Sequence, residues 1–178
     1  MKLTLKDGSV KEYQGPVTAA EAAKDLSMGL YRAACAARVD GKVVDLRTVL
    51  DHDCALEILT FADEDGQRAF NHTASHILAQ AVTHLYPEAK FAIGPAIDNG
   101  FYYDFDLPAP FTTEDLVKLE KEMAAIVKAD LPLEKFELDA AEALELMKDQ
   151  PYKEELIREH AGKGEKISFY RQGDFTDL

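Results

Sequence analysis

Two imidazoles four residues apart are the first groups in this chain whose type and spacing suit chemistry. His72 and His76 lie in the stretch Asn71-His72-Thr73-Ala74-Ser75-His76. In a helix, positions i and i+4 stack on one face, so both rings can converge on one atom, either a metal ion or a water molecule. Near neutral pH an imidazole takes up or passes on a proton, which suits hydrolysis by a positioned water. Such a pair is equally at home as a solvated decoration of a helix surface, and the spacing by itself does not choose.

The element that must carry the pair is the apolar-periodic run from Gln67 to Tyr86. Its period predicts a helix with Phe70, Ala74, Ile77, Leu78, Ala81 and Leu85 on one stripe, centred near Ala74. His72 and His76 then fall on the opposite side, away from the core face. Next comes Phe91-Ala92-Ile93-Gly94-Pro95-Ala96-Ile97-Asp98-Asn99-Gly100-Phe101-Tyr102-Tyr103-Asp104-Phe105. Gly94-Pro95 and Asn99-Gly100 are turn signals, and 101–105 alternates as a strand. Phe101, Tyr103 and Phe105 share one face of that strand, opposite Tyr102 and Asp104. As aromatics in a strand they fit a sheet core as readily as a site.

Further on, Thr112 to Asp115 reads as a capping box that opens a helix with Leu116, Leu119, Met123, Ile126 and Val127 on its apolar face. A strand is predicted over 133–138, helices over 140–148 and 152–160 around the Asp149-Gln150-Pro151 break, and a last strand over 166–171. The first third differs in character. A hairpin around Asp7-Gly8, a capped helix from Thr18 to Leu26, a turn at Asp40-Gly41 and a closing strand over 56–59 predict a β-grasp unit without visible chemistry. The acidic joint Asp63-Glu64-Asp65 marks the boundary, giving a unit over 1–61 and a second over 62–178. The fold class is α+β: a β-grasp domain, then a domain with helices packed on an antiparallel sheet.

Composition narrows the function classes. The chain has 178 residues, 47% hydrophobic and 30% charged, with no tryptophan. No run of 18 apolar residues exists to span a membrane, and the N-terminus lacks an apolar signal core, so the reading is a cytoplasmic protein. Cys35 and Cys54 lack metal-type spacing and read as reduced thiols in buried structure. Of the formal charge of −13, nearly all lies beyond residue 62, where 12 Lys/Arg face 24 Asp/Glu. An autonomous nucleic-acid binder is normally basic, so this chain alone is expected to bind nucleic acid poorly. His52, His84 and His160 have no apparent partners and read as surface or packing residues.

Taken together, His72-Thr-Ala-Ser-His76, the run Ala92-Ile-Gly-Pro-Ala-Ile-Asp-Asn-Gly-Phe-Tyr-Tyr-Asp104 and the Asp7-Gly8 hairpin resemble the N-terminal region of bacterial-type threonyl-tRNA synthetases. The resemblance covers essentially the whole chain: a TGS domain first, then the editing domain shared with alanyl-tRNA synthetases. In that family a Cys-x-Gly-Pro-His segment follows directly after the position of Leu178, so the chain reads as an editing region cut inside its own cleft.

The resemblance implies hydrolysis of the ester of serine mischarged on tRNA(Thr). A pocket for threonine rejects the smaller serine by only about 1–3 kcal/mol, so a second, hydrolytic site is the usual remedy. It also implies roles: His72, His76 and Lys153 catalytic, Tyr103 and Asp177 substrate-binding, and no metal. Tyr103 would orient substrate, although the strand alternation itself leaves Tyr102 and Tyr103 both open. Lys153, in Pro151-Tyr152-Lys153, would steady an oxyanion or the ribose, and its bland counterpart is an exposed lysine at a helix start. Asp177 would bind the substrate amine, against the fraying expected of a residue next to a chain end. The partner implied is the serine-bearing acceptor end of tRNA(Thr). ATP, magnesium and zinc, with homodimerisation, belong to family domains that have no matching residues here. Two other readings stay open: a non-catalytic interaction module, and a zinc-dependent deacylase site as in the alanyl relatives.

Overall fold

The structure, a computed structural model, describes every residue except 98, 99 and 165. It divides into two compact units, Met1–His72 and Thr73–Leu178.

In the first unit, β1 (Lys2–Leu5) and β2 (Val10–Glu12) form the expected hairpin, with Gly8 at φ 83° in its turn. A short β3 (Val17–Thr18) leads into α1 (Ala19–Leu26), whose Thr18–Glu21 capping box is complete. Ser27 ends α1 and caps α2 (Met28–Ala33) by accepting from the Leu30 amide at 3.0 Å. The strands β4 (Ala34–Val39), β5 (Lys42–Val44), β6 (Val49–Leu50) and β7 (Cys54–Thr60) complete the unit. The sheet order is β2-β1-β7-β4-β5, and β1 runs parallel to β7, pairing Leu3 with Cys54 and Leu5 with Leu56. First and last strands side by side at the centre, with Ala19 and Ala22 of α1 in the same core as Leu3, Ala37, Leu50 and Leu56, are the β-grasp arrangement. Cys54 is buried, Cys35 only partly so, and both are free thiols.

Helix α3 (Glu64–Leu85) begins where Asp63 accepts from the Thr60 amide at 2.8 Å and hydroxyl at 3.0 Å. Its Gly66 lies against the Thr60 backbone, where an added Cβ would come within 3.1 Å of three main-chain atoms.

The second unit contains short paired strands β8 (Lys90–Phe91), β9 (Ala96–Ile97), β10 (Gly100–Phe101) and β11 (Phe105–Asp106), with β8 on β11 and β9 on β10. Of the turn expected at Asn99-Gly100, Asn99 lies outside the described residues and Gly100 is the first residue of β10. Then come α4 (Thr113–Ala129), β12 (Leu133–Leu138), α5 (Ala140–Leu146), α6 (Pro151–Gly162), β13 (Ile167–Gln172) and β14 (Phe175–Asp177). The strands β12-β13-β14 form an antiparallel sheet, and Ala143, Met147 and Ile157 of the α5–α6 region share a core with its Ile167 and Phe169. A separate core joins Ala79, Ala81 and Val82 of α3 to Phe91, Leu119, Ile126 and Phe175.

Three expectations are corrected here. Along α3 the buried side chains include Asn71, Ser75, His76, Ala79, Gln80, Ala81 and Val82, whereas Phe70 and Leu85 of the expected core stripe are exposed. Apolar periodicity treats every polar residue as solvent-facing, so it cannot register a helix that turns a polar face inward to meet partners. On α4 only Leu119 and Ile126 of the expected face are buried, and Leu116 and Val127 are exposed, because one narrow line of the helix meets the core. The expected continuous strand over 101–105 is two short ladders separated at 102–104.

Candidate functional site

The centre of the second unit is a buried carboxylate. Asp177 is 4% exposed and is the last residue of β14, which Tyr170↔Asp177 pairing holds against β13. The expected fraying is therefore overturned: the strand pairing and four hydrogen bonds fix this residue. Its Oδ2 accepts from the Tyr103 hydroxyl at 2.6 Å and from His76 Nδ1 at 3.2 Å. Its Oδ1 accepts from Lys153 Nζ at 2.8 Å and from the Leu178 amide at 2.8 Å. Four donors match the lone-pair capacity of a carboxylate. Burial pushes the Asp177 carboxyl up, but the His76 hydrogen bond and the Lys153 charge outweigh it and hold the group well below the usual carboxylate range.

Each partner is delivered by a different element. Small Ser75 and Ala79 flank His76 on the inward face of α3, and the Tyr170 ring lies 5.0 Å from the imidazole. Because a carboxylate only accepts, Nδ1 donates in this hydrogen bond. Lys153 sits in the first turn of α6, a position where the helix dipole disfavours a cation. It is nevertheless 3% exposed, so the surface-lysine reading fails. Gln150, just before Pro151, explains its placement. The Gln150 side chain accepts from the Phe91 amide at 2.8 Å and donates to the Ala89 carbonyl at 3.2 Å, which moors the start of α6 to β8.

Tyr103 completes the group. Its hydroxyl accepts from Lys153 Nζ at 2.8 Å while donating to Asp177, and the same ammonium lies 5.2 Å from its ring centroid. The ring stacks on Phe105 at 4.8 Å and meets the edge of Phe91 at 5.9 Å. Burial, then the Asp177 charge and hydrogen bond, raise the phenol far above its ordinary value, so it stays a donor at any working pH. Tyr102, its neighbour, is 44% exposed.

Four of the five expected site residues thus meet: His76, Tyr103, Lys153 and Asp177. The fifth, His72, is partly buried and is the last residue of the first unit. The saturation of Asp177 alters the role expected of it, since an incoming ammonium would have to take the place of an existing donor. Gln80, one turn after His76, was not anticipated. It is 3% exposed and donates to the Gln172 carbonyl at 3.4 Å, while its Oε1 has no partner among the described residues. Its position at i+4 from His76 was the available signal. Two other histidines do have carboxylate partners: His52 with Asp51 at 2.7 Å and His84 with Glu122 at 2.6 Å.

Among the described residues, no group of three or more His, Cys, Asp or Glu is arranged to hold a metal ion. Among the described residues, likewise, no helix is long and apolar enough to cross a membrane.

Comparison with known proteins adds two findings. Residues 1–60 match the TGS domain family. Over its whole length the chain is 57% identical to the threonine–tRNA ligase of Acetivibrio thermocellus, and 55% identical to those of Clostridium perfringens and Clostridium tetani. In each case the alignment covers 100% of this chain and 28% of the relative, so the chain spans just over a quarter of the length of the curated relatives it matches.

Proposed function

We propose that this chain, which aligns along its full length with the N-terminal region of bacterial threonyl-tRNA synthetases, is a TGS domain over 1–61 followed by an editing domain over 62–178. The editing domain hydrolyses the ester that joins mischarged serine to tRNA(Thr). The observation that carries this reading is the buried Asp177 carboxylate, which gathers an imidazole, an ammonium and a phenol from three separate elements.

Ester hydrolysis needs a water, a base for its proton and positive charge or donors for the developing oxyanion. Asp177 orients the His76 ring through Nδ1 and stabilises the imidazolium that forms, so Nε2 serves as the base. Lys153 has three N–H donors, two of them directed at Asp177 and Tyr103. The third is assigned to the oxyanion or to the ribose. Tyr103 fixes the ammonium in place, and His72, four residues before His76, shares in positioning the water. Binding of the serine ammonium at Asp177 would proceed by exchange with one of its present donors.

The test is hydrolysis of seryl-tRNA(Thr) and of a short serylated acceptor-end RNA. It is run with this chain and with a version extended through the Cys-x-Gly-Pro-His segment of the family. The extended form is expected to be much faster, since one missing oxyanion donor can cost about 100- to 1,000-fold. His76→Ala, Lys153→Ala and His72→Ala should each slow it. Wild-type rates in all three variants would remove the assignment.

A further inference from the structure

The strand segments that carry Tyr103 do not pair in a single register. Phe91 pairs with Phe105 at one end and Ala96 with Phe101 at the other, which leaves four residues, 92–95, opposite three, 102–104. Main-chain bonds bridge the mismatch, from the Ala92 amide to the Asp104 carbonyl at 3.0 Å, from Asp104 back to Ile93 at 2.9 Å, and from Tyr102 to Pro95 at 3.4 Å. One extra residue on one strand of a pair is a β-bulge, a device that re-aims a side chain on the strand opposite or beside it.

Gly94 sits in that bulge, directly against the Tyr103 ring. A Cβ at position 94 would lie 2.6 Å from Tyr103 Cγ and closer still to Cδ2 and Cε2, which is inside the ring's van der Waals envelope. The ring has no simple escape. It is stacked on Phe105, edged by Phe91 and tied at its hydroxyl to Lys153 and Asp177. We propose that Gly94 is a positioning residue of the hydrolytic site: its missing side chain is the space that the Tyr103 ring occupies to set the phenol between Lys153 and Asp177.

This rests on the editing reading for its catalytic consequence, but not for its geometry. Adding one methyl at 94 displaces the ring and withdraws the phenol from both partners. A misplacement of about 1 Å in a positioned group can cost on the order of 100-fold in rate. Lys153 then loses one of the two contacts that hold it, so the loss falls on kcat while KM for a serylated acceptor-end RNA changes little.

The experiment compares wild type, Gly94→Ala, Tyr103→Phe, Tyr103→Ala and the doubles Gly94→Ala/Tyr103→Phe and Gly94→Ala/Tyr103→Ala. Three readouts are taken: thermal stability, the 13C NMR signal of the Tyr103 phenol carbon, and seryl ester hydrolysis. Gly94→Ala should lower Tm, move the Tyr103 signal and cut kcat about as far as Tyr103→Phe does. Added to Tyr103→Phe, it should cut kcat little further, and added to Tyr103→Ala, it should lower Tm no further, because the clashing ring is gone. A Gly94→Ala protein with an unmoved Tyr103 signal, or Tm losses that simply add in the Tyr103→Ala double, overturns the proposal. If wild type hydrolyses no seryl ester, the editing reading fails, while the Tm coupling and the phenol signal still test what Gly94 does.

Discussion

Replacing Lys153 by methionine keeps the apolar stem to within one atom and deletes the charge, and the structure allows the cost to be worked out. Lys153 and Asp177 are 3% and 4% exposed and lie 2.8 Å apart. At an effective dielectric constant of about 20, that separation is worth roughly 6 kcal/mol of attraction, which is spent largely on removing both ions from water. Removing one ion returns none of the desolvation of the other, so the expected loss is roughly 3–5 kcal/mol. For a chain of this size that corresponds to a fall in Tm of roughly 6–20 °C, at about 2–4 °C per kcal/mol. Lys153→Met/Asp177→Asn, which leaves no charge behind, should recover most of the loss. The pH dependence gives an independent check. Asp177 has its carboxyl held low in the folded state, so it contributes stability above the unfolded value of about 3.9 that is lost as pH falls through the folded value. Without Lys153 the folded value rises, and acid unfolding should begin about a pH unit higher or more. Urea titrations across pH 2–7 measure both effects. A Lys153→Met protein within about 1 kcal/mol of wild type, with an unmoved acid limb, would refute the picture of a buried, mutually dependent pair.

Three further outcomes are expected. Gly66→Ala should destabilise the first unit by about 1–3 kcal/mol, because the new Cβ meets the Thr60 main chain rather than a side chain that can swing away, and urea unfolding of the isolated residue change reads this directly. Elemental analysis of untagged protein should find no stoichiometric zinc, since structural and catalytic zinc take three or four protein ligands; one tightly held zinc per chain, lost in His72→Ala, would establish the metal reading instead. Binding of seryl-tRNA by the chain should be weak and should fall steeply with salt, because 12 Lys/Arg stand against 24 Asp/Glu beyond residue 62; a fluorescence titration from 50 to 200 mM salt that finds tight, salt-insensitive binding would contradict this.

Local signals made most of the elements readable. The Thr18 and Thr112 capping boxes, the Asp7-Gly8 and Asp40-Gly41 turns and the strand over 133–138 are set by neighbours within a few residues, and each formed where its residues dictate. The β3–β6 pair, two residues on each strand, carries no such signal and exists through its tertiary pairing, whereas α2 has a local signal, the Ser27 cap, that apolar periodicity does not register. At the site, residue identities were readable and their surroundings were not. Lys153 looks like any helix-start lysine until a carboxylate 24 residues later in the chain is brought within 2.8 Å of it. The inward face of α3 was misjudged for the same reason, as His76 is buried only because Asp177, 101 positions away, is there to receive it. The bulge at Gly94 depends on a count of residues between two paired ends, which no periodicity contains.

The parallel pairing of β1 with β7 has a consequence in time. Leu3 finds its partner at Cys54, so one whole side of β1 has nothing to bind while the intervening residues are made. At about 5–20 residues per second of synthesis, that wait is roughly 3–10 s, far longer than the microseconds in which the β1–β2 hairpin closes. During it the nascent hairpin presents an unpaired strand edge with Leu3 and Leu5 uncovered, the kind of surface that seeks other chains. Lys2 and Lys6 flank that edge at both ends, side chains of the kind that discourage an exposed strand edge from pairing with other chains.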